Sequence, residues 1–251
     1  MMCRMIRVAM AGHRGRMGSA VAPALEAAPD IEYVGGVGRG DDLAAFLRDT
    51  SPQALVDFTE PAAAVPIALA AIAAGAAPVV GTTGLGPGDV QQLQEACGAA
   101  GLGGIVAPNF SIGAVVMMAL AERAAPYFDA AEVIEMHHAG KADAPSGTAL
   151  ATARRLAAAK PDGFAYNTPQ KVSLEEARGG ESGGVGVHAV RLPGLVADQE
   201  VLFGLPGQTL TIAHRTTSRE AFAPGVLLAL RRVTSERTFF HGLDGLLGLS
   251  G

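Results

Sequence analysis

Short apolar segments alternate with longer helix-like stretches in the N-terminal part of the chain. The short segments are apolar at consecutive positions, which is typical of strands that are buried on both faces of a parallel sheet. The order of elements therefore predicts a doubly wound, Rossmann-like α/β domain. The predicted strands cover residues 6–11, 31–37, 54–58, 77–80 and 104–107, and the predicted helices cover residues 17–28, 62–74 and 91–100.

The pattern changes after residue 110, where a helix, a strand and an alanine-rich helix are followed by a polar, glycine-rich stretch. Three strand-like segments then lie close together, separated by Pro193-Gly194 and Pro206-Gly207. Closely spaced strands with turn residues between them predict meander pairing in an open, mixed or antiparallel sheet. We therefore predict an inserted α+β substrate domain over residues 110–217, and a nucleotide domain formed by residues 1–109 and 218–251. The three segments cover residues 185–192, 200–204 and 209–216.

Composition and charge exclude several classes of function. The 19 basic and 24 acidic residues give a formal net charge of −5, and no block of basic residues is present, so we expect neither a nucleic-acid partner nor a membrane partner. The two cysteines form no disulfide framework and no zinc-binding spacing, which fits the cytoplasm. Residues 61–88 are uncharged, but prolines and glycines interrupt them, so we interpret them as a helix and a buried strand.

A glycine-rich loop follows the first predicted strand. Gly12, Gly15 and Gly18 form a G-x-x-G-x-x-G pattern, which is related to the dinucleotide-binding fingerprint G-x-G-x-x-G. Glycine permits a sharp turn and a close approach of backbone to a pyrophosphate, and the next helix directs its N-terminal N–H groups at the anion. An ordinary strand-to-helix turn with glycines is the alternative interpretation of the pattern alone.

The second predicted strand ends without the acidic residue that usually binds the ribose of NAD. Gly38 and Arg39 occupy this place, and Arg14, Arg16 and Arg39 could surround a 2′-phosphate, which guanidinium groups bind well. This arrangement favours NADPH over NADH. Asp41 and Asp42 follow shortly and could still reach a ribose, and the arginines could also be solvated surface residues.

A histidine pair and a lysine mark the most informative segment. A predicted strand leads into His137 and His138, Lys141 follows in the loop, and Ser146-Gly147-Thr148 begins a helix whose free N–H groups can bind an anion. Histidine exchanges protons near neutral pH and lysine is a compact cation, so the segment suits a carboxylate-bearing substrate that must be protonated. A polar turn without catalytic function is the alternative, and we expect no metal site because further ligands are missing.

Five motifs occur in a fixed order over nearly the whole chain, and they resemble the 4-hydroxy-tetrahydrodipicolinate reductase family, also called dihydrodipicolinate reductase, of bacterial and plant lysine biosynthesis. The run His-His-x-x-Lys-x-Asp-Ala-Pro-Ser-Gly-Thr is the most specific of them. The motifs are the glycine loop, Asp57-Phe58-Thr59, Gly81-Thr82-Thr83-Gly84, Ala107-Pro108-Asn109-Phe110-Ser111, and the segment from Glu135 to Ala149. His188-Ala189-Val190-Arg191 and Ser218-Arg219-x-x-Phe222 extend the match.

The resemblance implies a role for each motif. His137 is the expected proton donor or acceptor and Lys141 the second donor, while His138, Ser146, Gly147 and Thr148 are expected to hold a dicarboxylate. The resemblance also implies a homotetramer, and it implies NADPH or NADH as the cofactor, with NADPH preferred here. One departure is Gly38, where the family often has an acidic residue. The expected cofactor-binding residues are Gly12, Arg14, Gly15, Arg16, Met17, Arg39, Gly81, Thr82, Thr83, Ala107, Pro108, Asn109 and Phe110.

Two other functions stay open from the sequence alone. A dehydrogenase of the same fold that acts on another imino acid, such as an aspartate dehydrogenase, would share the glycine loop. A regulator that senses a nucleotide without catalysis would also share it, although that function leaves His137 and Lys141 unexplained.

Overall fold

The computed structural model describes residues 5–175 and 177–249. The chain divides into two compact units, of which the first comprises Met1–Ile112 and Arg219–Gly251 and the second comprises Gly113–Ser218. The sequence prediction placed the two boundaries after residues 109 and 217.

The first unit contains a parallel sheet of six strands, which confirms the predicted Rossmann-like class. The residues of the central strands are buried on both faces, as their continuous apolar sequences require. The strands are β1 (Ile6–Ala11), β2 (Ile31–Val37), β3 (Ala54–Asp57), β4 (Ala77–Val80), β5 (Gly104–Val106) and β11 (Phe239–His241). Their order along the sheet is β11-β5-β4-β3-β1-β2.

Helices cover both faces of this sheet. On one face, Ala9 and Leu55 pack with the helices that follow β2 and β3, while Val8 and Met10 are buried on the other face. The helices are α1 (Arg16–Ala27), α2 (Leu43–Thr50), α3 (Pro61–Ala73), α4 (Pro87–Ala100), α7 (Ala223–Ser235) and α8 (Gly242–Leu247). The uncharged stretch 61–88 thus contains α3 and β4, and no helix within residues 5–175 and 177–249 is both long enough and apolar enough to cross a membrane.

The second unit contains a mixed sheet of five strands. The strands are β6 (Ala130–His137), β7 (Gly180–Ser182), β8 (Val185–Arg191), β9 (Ala197–Leu205) and β10 (Gln208–His214), and the helices are α5 (Ile112–Ala124) and α6 (Gly147–Ala159). The strand order is β10-β9-β6-β8-β7, in which β6 and β8 are parallel and the other neighbouring strands are antiparallel.

The predicted meander of three consecutive strands is wrong at one junction. Strands β9 and β10 do pair directly, but β6 lies between β8 and β9. The reason is that α6 provides the crossover that a parallel connection from β6 to β8 needs, and sequence proximity alone had suggested a hairpin. The prediction also missed the short elements α2, β7, β11 and α8.

One face of the second sheet packs against helices and the other does not. Val133, Val201 and Phe203 point toward α5 and α6 and share a core with Met117 and Leu156. Because side chains alternate across a strand, the opposite face carries Ile134, Met136, Val190 and Leu202, which are half-buried or exposed.

Candidate active site

The glycine loop connects β1 to α1 in a conformation that requires glycine. Gly12 has φ +79°, and a Cβ atom there would lie 2.4 Å from the carbonyl oxygen of Phe58. Helix α1 begins after Gly15, with no side-chain cap and no acidic residue in its first turn. Its N-terminal N–H groups are therefore suited to an anion, and the missing Cβ atoms leave room for backbone to approach it. These residues fit a dinucleotide pyrophosphate.

Two cavities flank the glycine loop within the first unit. One cavity of about 410 Å³ lies at the end of β2, and it is lined by Gly12, Gly38, Arg39, Asp41 and Glu60 among others. A second cavity of about 350 Å³ lies on the other side of the loop. The residues that line the second cavity are Arg16, Met17, Phe58, Thr59, Gly81, Thr82, Thr83, Pro108, Phe110 and Phe222.

Of the three predicted arginines, Arg39 lines the first cavity, Arg16 lines the second, and Arg14 lies beside Asp41. Nη2 of Arg39 lies 3.2 Å from Oε1 of Glu60, and Nη2 of Arg14 lies 3.8 Å from Oδ2 of Asp41. The Asp41 carboxylate also accepts the backbone N–H of Gly38 at 2.8 Å. Arg14 and Arg39 thus both lie beside carboxylates at the end of β2, whereas Arg16 lines the second cavity.

A buried aspartate at the end of β3 fixes the Gly81-Thr82-Thr83 turn. Asp57 has no exposed surface and accepts hydrogen bonds from the hydroxyl groups of Thr82 and Thr59. The backbone N–H of Thr59 donates to Oγ1 of Thr82 at 2.9 Å. Burial raises the pKa of Asp57, and the hydrogen bonds from Thr82 and Thr59 partly oppose that shift. Sequence reasoning quoted Asp57 in a motif but gave it no function.

The Ala107–Phe110 turn follows β5 at the same edge of the sheet. The backbone N–H of Ala107 donates to the carbonyl of Val80 at 2.9 Å, and Oδ1 of Asn109 accepts the backbone N–H of Ser111 at 2.8 Å. Phe110 is buried and meets Phe58 edge to face, with the ring centroids 6.2 Å apart. Pro108 and Phe110 contribute to the second cavity, while Ala107 is fully buried.

In the second unit, His137 is the last residue of β6 and points to the same face as Glu135, two positions earlier. Nδ1 of His137 lies 2.6 Å from Oε2 of Glu135, which has no exposed surface. Parallel pairing places Arg191 of β8 opposite His137. Its guanidinium donates to both Glu135 oxygens, at 2.8 and 2.7 Å, and to the carbonyl of Asp143 at 2.6 Å.

Glu135 and Arg191 are site residues that sequence reasoning missed. The Glu-x-His spacing could have indicated Glu135, because residues two positions apart on a strand point to the same face as each other. The signal for Arg191 is its place in the motif His188-Ala189-Val190-Arg191, but its approach to Glu135 depends on the pairing of β6 with β8, which the sequence did not reveal.

Burial and neighbouring charges control the ionisation of this cluster. Desolvation lowers the pKa of His137, the positive charges of Lys141 and Arg191 lower it further, and the bond to Glu135 opposes the shift. For Glu135, burial alone would raise the pKa, but hydrogen bonds from Arg191, His137 and the Ser146 backbone outweigh it, so the pKa is lowered. His137 is therefore a neutral base in the ligand-free protein at pH 7, beside an ionised carboxylate.

The remaining predicted residues lie in the loop after β6 and at the start of α6. The backbone N–H of Lys141 donates to the carbonyl of His138 at 3.1 Å, and Nζ donates to Oδ1 of Asp143 at 2.6 Å. Ser146 caps α6 by accepting the N–H of Ala149 at 3.1 Å. Gly147 and Thr148 form the first turn of α6, where backbone N–H groups have no intrahelical partner and can bind a carboxylate.

The structure thus holds a dinucleotide-type loop in one unit and a histidine–lysine loop at a helix N-terminus in the other. Within the residues that the structure describes, no three His, Cys, Asp or Glu side chains converge as a metal-binding group. These features are those of a Rossmann-type nucleotide-binding enzyme whose second unit carries a histidine, a lysine and a helix N-terminus in one segment.

Comparison with known proteins identifies the family. The model described as "Dihydrodipicolinate reductase, N-terminus" matches residues 6–110, and the model described as "Dihydrodipicolinate reductase, C-terminus" matches residues 113–247. The chain therefore belongs to the dihydrodipicolinate reductase family and is an NAD(P)H-dependent oxidoreductase, as the motif resemblance predicted.

Individual relatives support this assignment over the full chain. The 4-hydroxy-tetrahydrodipicolinate reductase of Moorella thermoacetica is 45% identical, covering 96% of this chain and 98% of its own, and that of Streptomyces griseus is 46% identical, covering 98% and 99%. The dipicolinate-bound dihydrodipicolinate reductase of Paenisporosarcina sp. TG-14 is similar in structure, with a TM-score of 0.87, 36% identity, and 96% and 98% coverage. An amine dehydrogenase of Mycobacterium smegmatis (TM-score 0.63, 16% identity, 92% and 93% coverage) shares the fold alone.

Proposed function

We propose that the chain reduces 4-hydroxy-tetrahydrodipicolinate to tetrahydrodipicolinate in lysine and diaminopimelate biosynthesis, with loss of the 4-hydroxyl group as water. NADPH is the preferred source of hydride and NADH the alternative, and one proton is consumed in each turnover. The observation that carries this proposal is His137, which is bound to buried Glu135 beside Lys141 and the N-terminus of α6. It occurs in a chain that matches named reductases over almost their whole length. The small number of cysteines fits a cytoplasmic enzyme.

The nicotinamide cofactor supplies the hydride, and the residues of the second unit bind and protonate the substrate. The N–H groups of Gly147 and Thr148, together with His138, bind the carboxylates of a cyclic dicarboxylate. Lys141 stabilises the negative charge that develops on the ring during reduction, which is commonly a large catalytic contribution. His137 delivers or accepts a proton, because an imidazole can act as an acid or a base and Glu135 holds this one at Nδ1.

A coupled assay tests the function directly. The substrate is formed in the cuvette by the aldolase that produces it, and oxidation of NADPH or NADH is followed by absorbance. We expect turnover with this substrate and none with oxaloacetate plus ammonia, the substrates of an aspartate dehydrogenase. Cofactor binding without turnover on either mixture would favour a nucleotide-sensing protein instead.

The cofactor preference rests on Arg14 and Arg39 at the end of β2. Their carboxylate partners, Asp41 and Glu60, are exposed enough for the arginines to exchange them for a phosphate group. Arg39 lines the cavity where a ribose would follow the glycine loop, and Arg14 lies beside Asp41, which also lines it. We propose that these two guanidinium groups bind the 2′-phosphate of NADPH, and that the Asp41 carboxylate binds ribose hydroxyls when NADH is used.

Replacing both Arg14 and Arg39 with alanine is expected to raise the KM for NADPH by about 10–100-fold, the equivalent of one or two lost charge-assisted hydrogen bonds. The KM for NADH should change much less, because NADH has no 2′-phosphate. Arg16→Ala is the matched comparison, since Arg16 lines the other cavity. Equal losses for both cofactors in the double variant would refute the preference.

We also propose a homotetramer in which the uncovered faces of the second-unit sheets meet. In residues 5–175 and 177–249, no helix packs over Ile134, Met136, Val190 and Leu202 on this face, which also carries the polar residues Glu132 and His188. Burying its apolar area stabilises association. The homotetramer itself is the assembly that the family resemblance implies.

A charged residue on this face is expected to dissociate the assembly. Val190→Asp places a carboxylate where Val190 is 37% exposed, so the subunit itself should stay folded. Light scattering after size-exclusion chromatography should then give a smaller mass than the wild-type protein gives. Tyr127→Asp is the control, because Tyr127 is 74% exposed and lies outside the sheet. An unchanged mass for Val190→Asp would exclude this face as the interface.

A further inference from the structure

Glu135 is a fully buried carboxylate that joins three separate segments of the second unit. Oε2 lies 2.6 Å from Nδ1 of His137 and accepts Nη1 of Arg191 at 2.8 Å. Oε1 accepts the backbone N–H of Ser146 at 2.9 Å and Nη2 of Arg191 at 2.7 Å. Strand β6, strand β8 and the start of α6 therefore meet at one carboxylate.

We propose that Glu135, held in place by Arg191, is a positioning residue that keeps the His137 proton on Nδ1 and leaves Nε2 to exchange a proton with the substrate. This inference rests on the proposed function, in which His137 serves as the proton donor or acceptor. It adds the atom that reacts and the two residues that fix its orientation.

The chemistry of an ionised carboxylate determines the tautomer. A carboxylate can only accept hydrogen bonds, so the imidazole nitrogen that faces Oε2 must carry the proton. Arg191, His137 and the Ser146 backbone keep the pKa of Glu135 low despite its burial, and the carboxyl group is ionised at neutral pH. Neutral imidazole has a single N–H, which leaves the lone pair of Nε2 as the basic site.

The same carboxylate also orients the substrate-binding end of α6. Ser146 is the N-cap of this helix, and its backbone N–H is bound to Glu135 while its hydroxyl accepts the N–H of Ala149. The residues that follow the cap are Gly147 and Thr148, whose N–H groups bind the substrate carboxylate in the proposed function. One buried group thus fixes the acid–base residue and the anion-binding turn relative to each other.

The charges that face His137 have opposite effects on its protonation. Glu135 on β6 favours the imidazolium form, whereas Arg191 on β8 and Lys141 in the loop disfavour it. Asp143 is bound to Lys141 and faces Arg191, so its negative charge weakens the effect of these two cations on the pKa of His137. Removing the Glu135 charge should therefore lower the pKa of His137, and removing the Arg191 charge should raise it.

The experiment compares Glu135→Gln with Glu132→Gln in the full-length protein. Glu132 is a matched control on the same strand, since it is also bound to an arginine and a histidine, Arg178 and His188, but on the opposite face of the sheet. The ¹⁵N chemical shifts of His137, assigned with His137→Gln, report which ring nitrogen carries the proton, and a pH titration reports its pKa. Steady-state kinetics gives kcat and KM.

In the wild-type protein, Nδ1 of His137 should carry the proton. Glu135→Gln should shift the tautomer toward Nε2–H, lower the pKa of His137, and reduce kcat by about 10–100-fold, as is common when the partner that orients a functional histidine is removed. Glu132→Gln should leave the His137 spectrum unchanged and kcat within about twofold. Arg191→Met should raise the pKa of His137, which is opposite in direction to the effect of Glu135→Gln.

Results that contradict the inference about Glu135 can be distinguished from results that contradict the proposed reductase function. An unprotonated Nδ1 in the wild-type protein overturns the inference, and this measurement does not depend on the folding of Glu135→Gln. A wild-type tautomer and kcat in Glu135→Gln also overturn it, while the reductase function stands. Absence of turnover in the wild-type protein would overturn the proposed function instead, because the tautomer measurement does not require substrate.

Discussion

Replacing His137 with glutamine is expected to lower kcat by about 10²–10⁴-fold, the usual contribution of a positioned general acid or base. The amide keeps a polar group of similar size beside Glu135 but cannot donate and then regain a proton at neutral pH. Because substrate carboxylates bind at other groups in the proposed site, KM should change much less than kcat. Steady-state rates with NADPH at saturating substrate measure the difference.

His138→Gln provides the comparison for this result. The two histidines are adjacent, but only His137 shares its face of β6 with Glu135. We expect His138→Gln to raise KM for the dicarboxylate more than it lowers kcat. If instead His138→Gln abolishes turnover and His137→Gln does not, the two roles are exchanged and the proposed proton transfer is wrong.

The sequence was sufficient to predict the first sheet because its strands are continuous apolar runs separated by helices. In a parallel sheet that is covered on both faces, each strand must be apolar throughout, so local composition and the global fold agree. Strand β11 escaped prediction because its two apolar residues, Phe239 and Phe240, are bordered by polar ones, and its place at the edge of the sheet depends on pairing with Gly104–Val106.

The second sheet was harder to predict because its pairing is not sequential. Strands β8 and β9 are neighbours in the chain but are separated in the sheet by β6. Period-2 patterns identify a strand and its buried face, but they carry no information about which strand lies beside it. The wrong meander and the missed role of Arg191 have this single cause, because Arg191 reaches Glu135 only through the pairing of β8 with β6.

The candidate site likewise contains residues that could be predicted from local sequence and residues that could not. His137, Lys141 and the α6 N-terminus belong to one continuous segment, so residue chemistry and spacing predicted them as a group. Glu135 belongs to this segment too, but a glutamate in an alternating strand is usually interpreted as solvent-facing, and burial was needed to recognise it. The grouping of Arg14, Arg16 and Arg39 stays a prediction, although Arg39 and Arg16 line different cavities in the structure.

Gly12→Ala is expected to remove cofactor binding and to destabilise the first unit by about 2–5 kcal/mol. The left-handed φ of +79° costs a non-glycine residue about 1–2 kcal/mol, and crowding against the rigid backbone of Phe58 adds about 1–3 kcal/mol. The clash cannot be relieved by side-chain rotation, because the nearest atom is a carbonyl oxygen at 2.4 Å. The loop must move, and the start of α1 moves with it.

Gly40→Ala separates the two contributions to this loss. Gly40 has φ +89°, but a Cβ atom there would meet nothing within 4 Å, so only the conformational cost applies. Thermal unfolding and NADPH titration of both variants should show a modest loss of stability with normal affinity for Gly40→Ala, and a larger loss with no measurable affinity for Gly12→Ala. Equal effects on stability would mean that the close approach of Gly12 to Phe58 does not constrain the loop. Retained affinity in Gly12→Ala would show that the pyrophosphate binds elsewhere, because a displaced loop cannot present the α1 N–H groups to it.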